Sequence, residues 1–363
     1  MPAPSSEQNA RGPSANKPKD RRRASLGLKL VLAGASLGFA GLVAEIGWRF
    51  VQYRQETTLH EQWAQVAAKK LAEKPPSGTV NFSELIYPSP AHDVIYELCP
   101  NLDVVYLGGK VTTNSDGFRG AQVPKDKPDD VFRIVGLGDS VMFGMCNNDG
   151  EEYLQIMADR LRKARPDRKI EIVNTSIPGH NTAMEVALLE SKGLAWKPDL
   201  VVIDFVRNDF SLPNFIVGKT DFLALNRSFL WEWICSLNNE RGGFESDPEL
   251  VPPEYSHLVG HAGFKNALRR LKELSLQHGF KVVVTTHRYK VPVVLETCKE
   301  LGLPLIFGET AVSEYEKEHN ISAKTYLGSE LTVSDRDPHP SALQHRILGE
   351  YYAKMLLATN LLD

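Results

Sequence analysis

The chain has 363 residues, of which 42% are hydrophobic, 24% charged and 9% aromatic, and its formal net charge is −3. That balance excludes a fibrous or wholly disordered protein and leaves room for one large core or two modest ones. Residues 1–29 carry seven Lys/Arg against two Asp/Glu, which leaves 35 against 43 beyond them, so the main body offers no basic face for nucleic acid.

Residues 1–25 open with MPAPSSEQNARGPSANKPKD, rich in Pro, Ser and charge with little to bury, and read as a disordered basic tail. The next 19 residues, LGLKLVLAGASLGFAGLVA at 26–44, hold one charge, Lys29, close enough to the basic end to snorkel. With Trp48 as an interfacial anchor, residues 26–48 predict a transmembrane helix. Arg21, Arg22 and Arg23 before it place the amino end in the cytoplasm and everything from about residue 50 outside. Two rivals are a cleaved signal peptide and a buried helix of a soluble protein. The first lacks a small-x-small cleavage site, since cleavage after Ala44 would put Leu42 at the minus-three position. Residues 49–84 read as a helical stalk and linker, ended by PPSGT at 75–79. Cys99, Cys146, Cys235 and Cys298 form no CxxC pair; they allow up to two disulfides and do not reveal the compartment.

From residue 85 to 363 the pattern is that of one α/β domain. FRIVGL at 132–137 is a short apolar strand running into GDS, followed by helical spacing at 151–165. KIEIVNT at 169–175 is a second strand, 182–196 a second helix, and DLVVIDFV at 199–206 a third strand, nearly continuous in its apolarity. The helix–strand step repeats at 263–287 and again at 292–307, and a last helix covers 341–358. Short strands apolar on both sides, separated by helices, predict a mostly parallel sheet covered on both faces, with ligands at the carboxyl ends of its strands. The irregular segment 207–261, which carries FLWEW at 229–233, reads as a cap or insertion beside that site.

Ser140, in GLGDSVMFG, sits at a strand-to-helix corner where a hydroxyl can face nearby amides. By itself it is better explained as a helix cap, and it is not a G-x-S-x-G elbow, because Met142 stands two residues on. IPGHN at 177–181 brings the Gly179 amide to the end of the second strand, and VRND at 206–209 brings the Asn208 side chain to the end of the third. DPHPS at 337–341 sets His339 just before the last helix with Asp337 two residues earlier. A serine, a base with a carboxylate partner and convergent N–H donors are the parts of acyl transfer.

Those four blocks, GDS, PGHN, ND and DPHP, in that order, resemble the SGNH hydrolase superfamily, also called GDSL-like esterases. TTNSDGFRG at 112–120 further resembles membrane-anchored or exported bacterial members, and the resemblance covers about residues 85–358. It implies a flavodoxin-like three-layer sandwich and hydrolysis of an ester or transfer of its acyl group, without metal or organic cofactor. It further implies Ser140 as nucleophile, His339 as base and Asp337 as its orienter, with an oxyanion hole from Ser140, Gly179 and Asn208. A bacterial inner-membrane protein with a periplasmic domain follows by the same analogy.

Two departures stand out. Val206 occupies the position, two before Asn208, where the family often has Gly, and the last block is D-x-H rather than D-x-x-H, with Arg336 at minus three. Asp335 is therefore a second candidate to orient His339. His180 and Arg207 are candidate substrate contacts, against a surface loop histidine and an ordinary ion pair. Asp139 and Asp209 fit turn-fixing roles, Asp116 and Arg119 a structural tie in the 112–120 loop, and His345 a packing place on the last helix. No HExxH, CxxC or G-x-G-x-x-G is present, and VGKT at 217–220 fails as a phosphate loop because Pro213 stands where its first Gly belongs. Three functions remain: an esterase acting on a small acyl ester such as acetyl on an extracytoplasmic glycan or lipid, an O-acyltransferase to a sugar hydroxyl, and a non-catalytic binding or assembly protein.

Overall fold

In the computed structural model, Lys19–Ala72 form one unbroken helix, α1, within which Leu26–Arg54 has a mean hydropathy of 1.8 and an apolar window with nothing packed over it. This apolar N-terminal helix, the one such span among the described residues, is consistent with a membrane anchor. The structure describes residues 19–213, 215–216, 222–223, 225, 227–237, 251–288 and 290–363. Residues 1–18 of the basic tail, VGKT at 217–220 and much of the 207–261 insertion lie outside them. The chain divides into two units, one of Met1–Thr57 with Asp221–Arg241, the other of Thr58–Thr220 with Gly242–Asp363.

After the end of α1 the larger unit continues with short strands. β1 (Ser77–Val80) leads through α2 (Phe82–Leu85) to β2 (Ile86–Pro88), then β3 (Tyr96–Leu98), β4 (Asp103–Tyr106) and β5 (Gly109–Thr112). β2 and β3 pair antiparallel, while β1, β4 and β5 make a separate three-stranded sheet. Next come β6 (Val131–Leu137), α3 (Ser140–Phe143), α4 (Tyr153–Ala164), β7 (Lys169–Asn174), α5 (Thr182–Ser191) and β8 (Leu200–Phe205). In the smaller unit lies α6 (Phe229–Leu237), and the larger resumes with α7 (Gly260–His278), β9 (Lys281–Thr286), α8 (Pro292–Leu301), β10 (Leu305–Phe307), α9 (Glu309–Glu318) and α10 (Ala342–Leu357).

β6 to β10 form one five-stranded sheet in the order β10-β9-β8-β6-β7, every pair parallel. All residues of β6 and β8 are buried, because alternate side chains enter two different cores. Val135, Leu137, Val201 and Ile203 pack with α5, α7 and α8, whereas Ile134, Leu200 and Val202 pack with α4, α9 and α10. Helix layers thus cover both faces, an α/β sandwich with a mostly parallel central sheet, as the strand and helix pattern predicts. Because β6 is the first strand of this sheet in chain order and lies between β7 and β8, the chain leaves it in one direction and later passes to its other side. The carboxyl ends of β6 and β8 accordingly flank a topological switch point.

Candidate active site

Three loops leave the carboxyl ends of adjacent strands at that point. Ser140 follows β6, Asn208 follows β8, and Gly179 follows β7. Asp139 fixes the first corner: its carboxylate accepts from the Val141 amide at 2.8 Å, capping α3, and from the Ser140 hydroxyl at 3.3 Å. The same Oδ2 accepts from the Asn208 side-chain amide at 2.9 Å, so one carboxylate ties the ends of β6 and β8 together. Asp139 is fully buried, which raises its pKa, while the bonds from Val141 and Asn208 oppose that rise.

The second loop is a turn in which the His180 amide donates to Ile177 O at 3.0 Å, with Pro178 and Gly179 as its central pair. Gly179 has φ +84°, the left-handed geometry a type II turn demands at that place, and an added Cβ would lie 2.9 Å from the Tyr96 hydroxyl. That turn sends His180 inward. His180 is wholly buried, with Nε2 3.0 Å from Tyr96 O, and burial lowers its pKa to about 4, so it is a neutral core residue and not a substrate contact. Arg207 is exposed beside Asn208.

Ser341 caps α10 through the Gln344 amide, and His339 stands two residues before that cap. Its Nε2 lies 3.0 Å from Ser140 Oγ, and its Nδ1 lies 2.5 Å from Asp337 Oδ1, which also accepts the His339 backbone N–H at 3.0 Å. The D-x-H spacing closes on itself: one carboxylate oxygen takes both the ring and the main-chain N–H of the same histidine. Asp335, by contrast, is exposed. The hydrogen bond from His339 holds the Asp337 carboxyl down at about 2, so Asp337 is ionised and only accepts. Nδ1 is then the protonated nitrogen, which leaves Nε2 with a lone pair toward Ser140.

Two ties hold the His339 loop against the Ser140 loop. Asn147 Nδ2 donates to Pro340 O at 2.9 Å, and the Cys146 thiol donates to Asp337 Oδ2 at 3.6 Å. Cys146 adopts φ +67°, and burial, followed by the Asp337 charge, pushes its thiol up to about 12. Arg119, buried, threads under this loop: it donates to the carbonyls of Phe143, Gly144 and Asn147 and pairs with Asp149 at 3.1 Å. Asp116 bonds Gln122 and Lys125, and Asp209 accepts from Thr182 Oγ1 at 2.7 Å, both bracing loops. His345 is packed inside α10 and accepts the Tyr153 amide at 3.2 Å; burial lowers it to about 3. Sequence reasoning missed Cys146 and the Asp139–Asn208 bond. Neither carries a local signal, since each joins residues far apart in the chain.

The geometry therefore gathers Ser140, Asp337 and His339 in one line, with Asn208 fastened beside them, and leaves His180 out. Ser140 and His339 are only 7% and 8% exposed.

No protein-family model matches the chain, and no curated protein does. Among solved structures the chain is similar to a two-domain esterase active on acetylated mannans, at 15% identity over 64% of this chain and 51% of that one, with a TM-score of 0.41. It thus spans about half the length of that esterase. It is also similar to an acetyl xylan esterase (14% identity, 63% and 100% of the two chains, TM-score 0.41) and to an acetylxylan esterase from Geobacillus stearothermophilus (17%, 64% and 96%, TM-score 0.40). At these identities and TM-scores the chemistry rests on the site's own geometry.

Proposed function

We propose that the protein is a serine esterase of the SGNH type that cleaves a small acyl ester, such as an acetyl group on an extracytoplasmic glycan. The observation that carries this reading is the unbroken series Ser140 Oγ, 3.0 Å, His339 Nε2, then Nδ1, 2.5 Å, Asp337. Ser140 Oγ attacks the ester carbonyl carbon as its proton passes to His339 Nε2. The oxyanion is received by the Ser140 and Gly179 amides and the Asn208 side chain. Collapse expels the alcohol, which takes the proton from His339, and water repeats the sequence to release the acid.

The strand order, with β6 between β7 and β8, supports the flavodoxin-like form of the sandwich. The basic residues ahead of α1 support an inner-membrane anchor with a cytoplasmic amino end and a periplasmic catalytic unit. The near-complete burial of Ser140 and His339 favours a second reading, acyl transfer to a sugar hydroxyl, because a water-poor acyl-enzyme outlives hydrolysis long enough to meet an acceptor.

The test is intact mass of the detergent-solubilised full chain after exposure to a fluorophosphonate. One adduct, absent from Ser140→Ala, is expected. No adduct on folded protein would overturn the enzyme reading in favour of a binding or assembly role. Given an adduct, release of acetate from an aryl acetate with and without added sugar acceptor separates hydrolysis from transfer.

A further inference from the structure

The smaller unit pairs the outer end of the apolar helix with α6, and the join is specific. Glu45, near the end of the apolar run, accepts from the Phe229 and Leu230 amides, each at 2.8 Å, and from the Ser228 hydroxyl at 2.8 Å, capping α6. Arg49, one turn on and paired to Glu45 at 2.7 Å, donates to Phe222 O at 2.6 Å and Arg227 O at 2.7 Å, with its guanidinium 4.6 Å from the Phe229 ring centre. Trp48 meets Trp233 at 4.6 Å, and Tyr53 meets Phe222 at 5.4 Å.

The depth of this join is set by the helix. Leu26 to Glu45 spans about 28 Å at about 1.5 Å per residue, close to the roughly 30 Å of a bilayer's hydrocarbon core. Glu45, Trp48 and Arg49 therefore emerge at headgroup level, where tryptophans concentrate. The docked segment then turns apolar side chains outward. Trp231 is 64% exposed and Leu225 97%, as bare as Leu37 at 74% and Phe39 at 69% within the helix itself, and Leu223 and Ile234 are exposed too. Side chains so placed, beside a span that needs lipid around it, have the same solvent.

We propose that the described residues 222–223, 225 and 227–234 form a membrane-interface wedge, clamped to the span by Glu45 and Arg49 and dipping Trp231, Ile234, Leu223 and Leu225 into the outer headgroup boundary. The chain passes between the two units at three places, after Thr57, before Asp221 and after Arg241, so a membrane-bound smaller unit tethers the larger one by three connections in place of one.

This rests on reading Leu26–Arg54 as an anchor, and the test separates the two. The full chain is reconstituted into phosphatidylcholine vesicles whose acyl chains carry bromine either near the headgroup or near the bilayer centre, and tryptophan emission is read. The wedge predicts stronger quenching by the shallow label, part of which is lost in Trp231→Phe and in Glu45→Ala while both variants still float with the vesicles. Flotation with quenching unchanged in Trp231→Phe overturns the wedge and leaves the anchor. Failure to float overturns both. Trp231 emission that responds to protein density but not to bromine assigns the patch to a second copy and also overturns the wedge.

Discussion

Asp337 Oδ1 accepts two hydrogen bonds from one residue, the ring Nδ1–H of His339 at 2.5 Å and its backbone N–H at 3.0 Å. Asp337 is thus the carboxylate hydrogen-bonded to the imidazole, while Asp335 is exposed. Asp337→Asn keeps the shape but offers an amide where an ionised acceptor is needed, so kcat should fall about 10³–10⁴-fold with little change in KM. Asp335→Asn should retain parental kcat. The pair also leaves a mark on stability. The Asp337 carboxyl is held down at about 2, so its contribution is complete above the unfolded value near 4 and is lost as pH falls through 2. Acid titration of Tm should show a component in that window that Asp337→Asn lacks.

Asn208 is fastened to Asp139 at 2.9 Å, and a side chain held in the resting state loses no freedom when an oxyanion forms. Asn208→Ala should lower kcat about 10²–10³-fold while fluorophosphonate still labels Ser140, because the nucleophile and base are untouched. Asp139→Asn, which can keep the Val141 cap but meets the Asn208 amide with an amide, should fall between that variant and the parent. Equal kcat in all three proteins would remove Asn208 from the mechanism.

The parallel sheet was legible because β6 and β8 are apolar on both faces, and the residues at their ends were legible because such sheets gather ligands there. The strands between residues 77 and 112 were not. β1 and β4 are four residues each with mixed exposure, too short for a period to emerge. α9 escaped for a related reason: Val312 is its one fully buried residue, so ETAVSEYEKE shows no apolar stripe. His180 was misplaced because adjacency to Gly179 says nothing of direction, and the positive φ there turns the next side chain into the core.

Cys146 is half-buried beside the site, and its thiol is expected to be unreactive. Burial and the Asp337 charge push it up to about 12, and the thiol, not the thiolate, is what donates to Asp337. In folded protein at pH 8, iodoacetamide should modify Cys146 far more slowly than the same residue in urea. Cys146→Ala removes one donor from Asp337 Oδ2 and should cost activity about tenfold or less, the scale of one modest hydrogen bond. Rapid alkylation of the native protein with loss of activity would show a thiolate and reverse this assignment.

Beneath the site lies a set of buried carboxyls whose pKa values are raised by burial: Asp204 to about 8, and Glu185 and Asp209 in the same direction, each also raised by the charge of its neighbours. Asp204 accepts from Thr285 Oγ1 at 2.7 Å at the heart of β8. Between pH 4 and 8 the folded state keeps an Asp204 proton that the unfolded chain has released. Rising pH therefore favours unfolding across that window, and the loss levels off once Asp204 ionises in the folded state as well. Asp204→Asn removes the titration while keeping an acceptor for Thr285. Its Tm should consequently decline less than the parent's between pH 5 and pH 8, each ~1 kcal/mol recovered being worth about 2–4 °C in a unit of this size. Glu185 and Asp209 still titrate in the variant, so the slope should shrink and not vanish. An identical slope in calorimetry of both proteins would mean that Asp204 is ionised in the fold, with its charge met by groups other than Thr285.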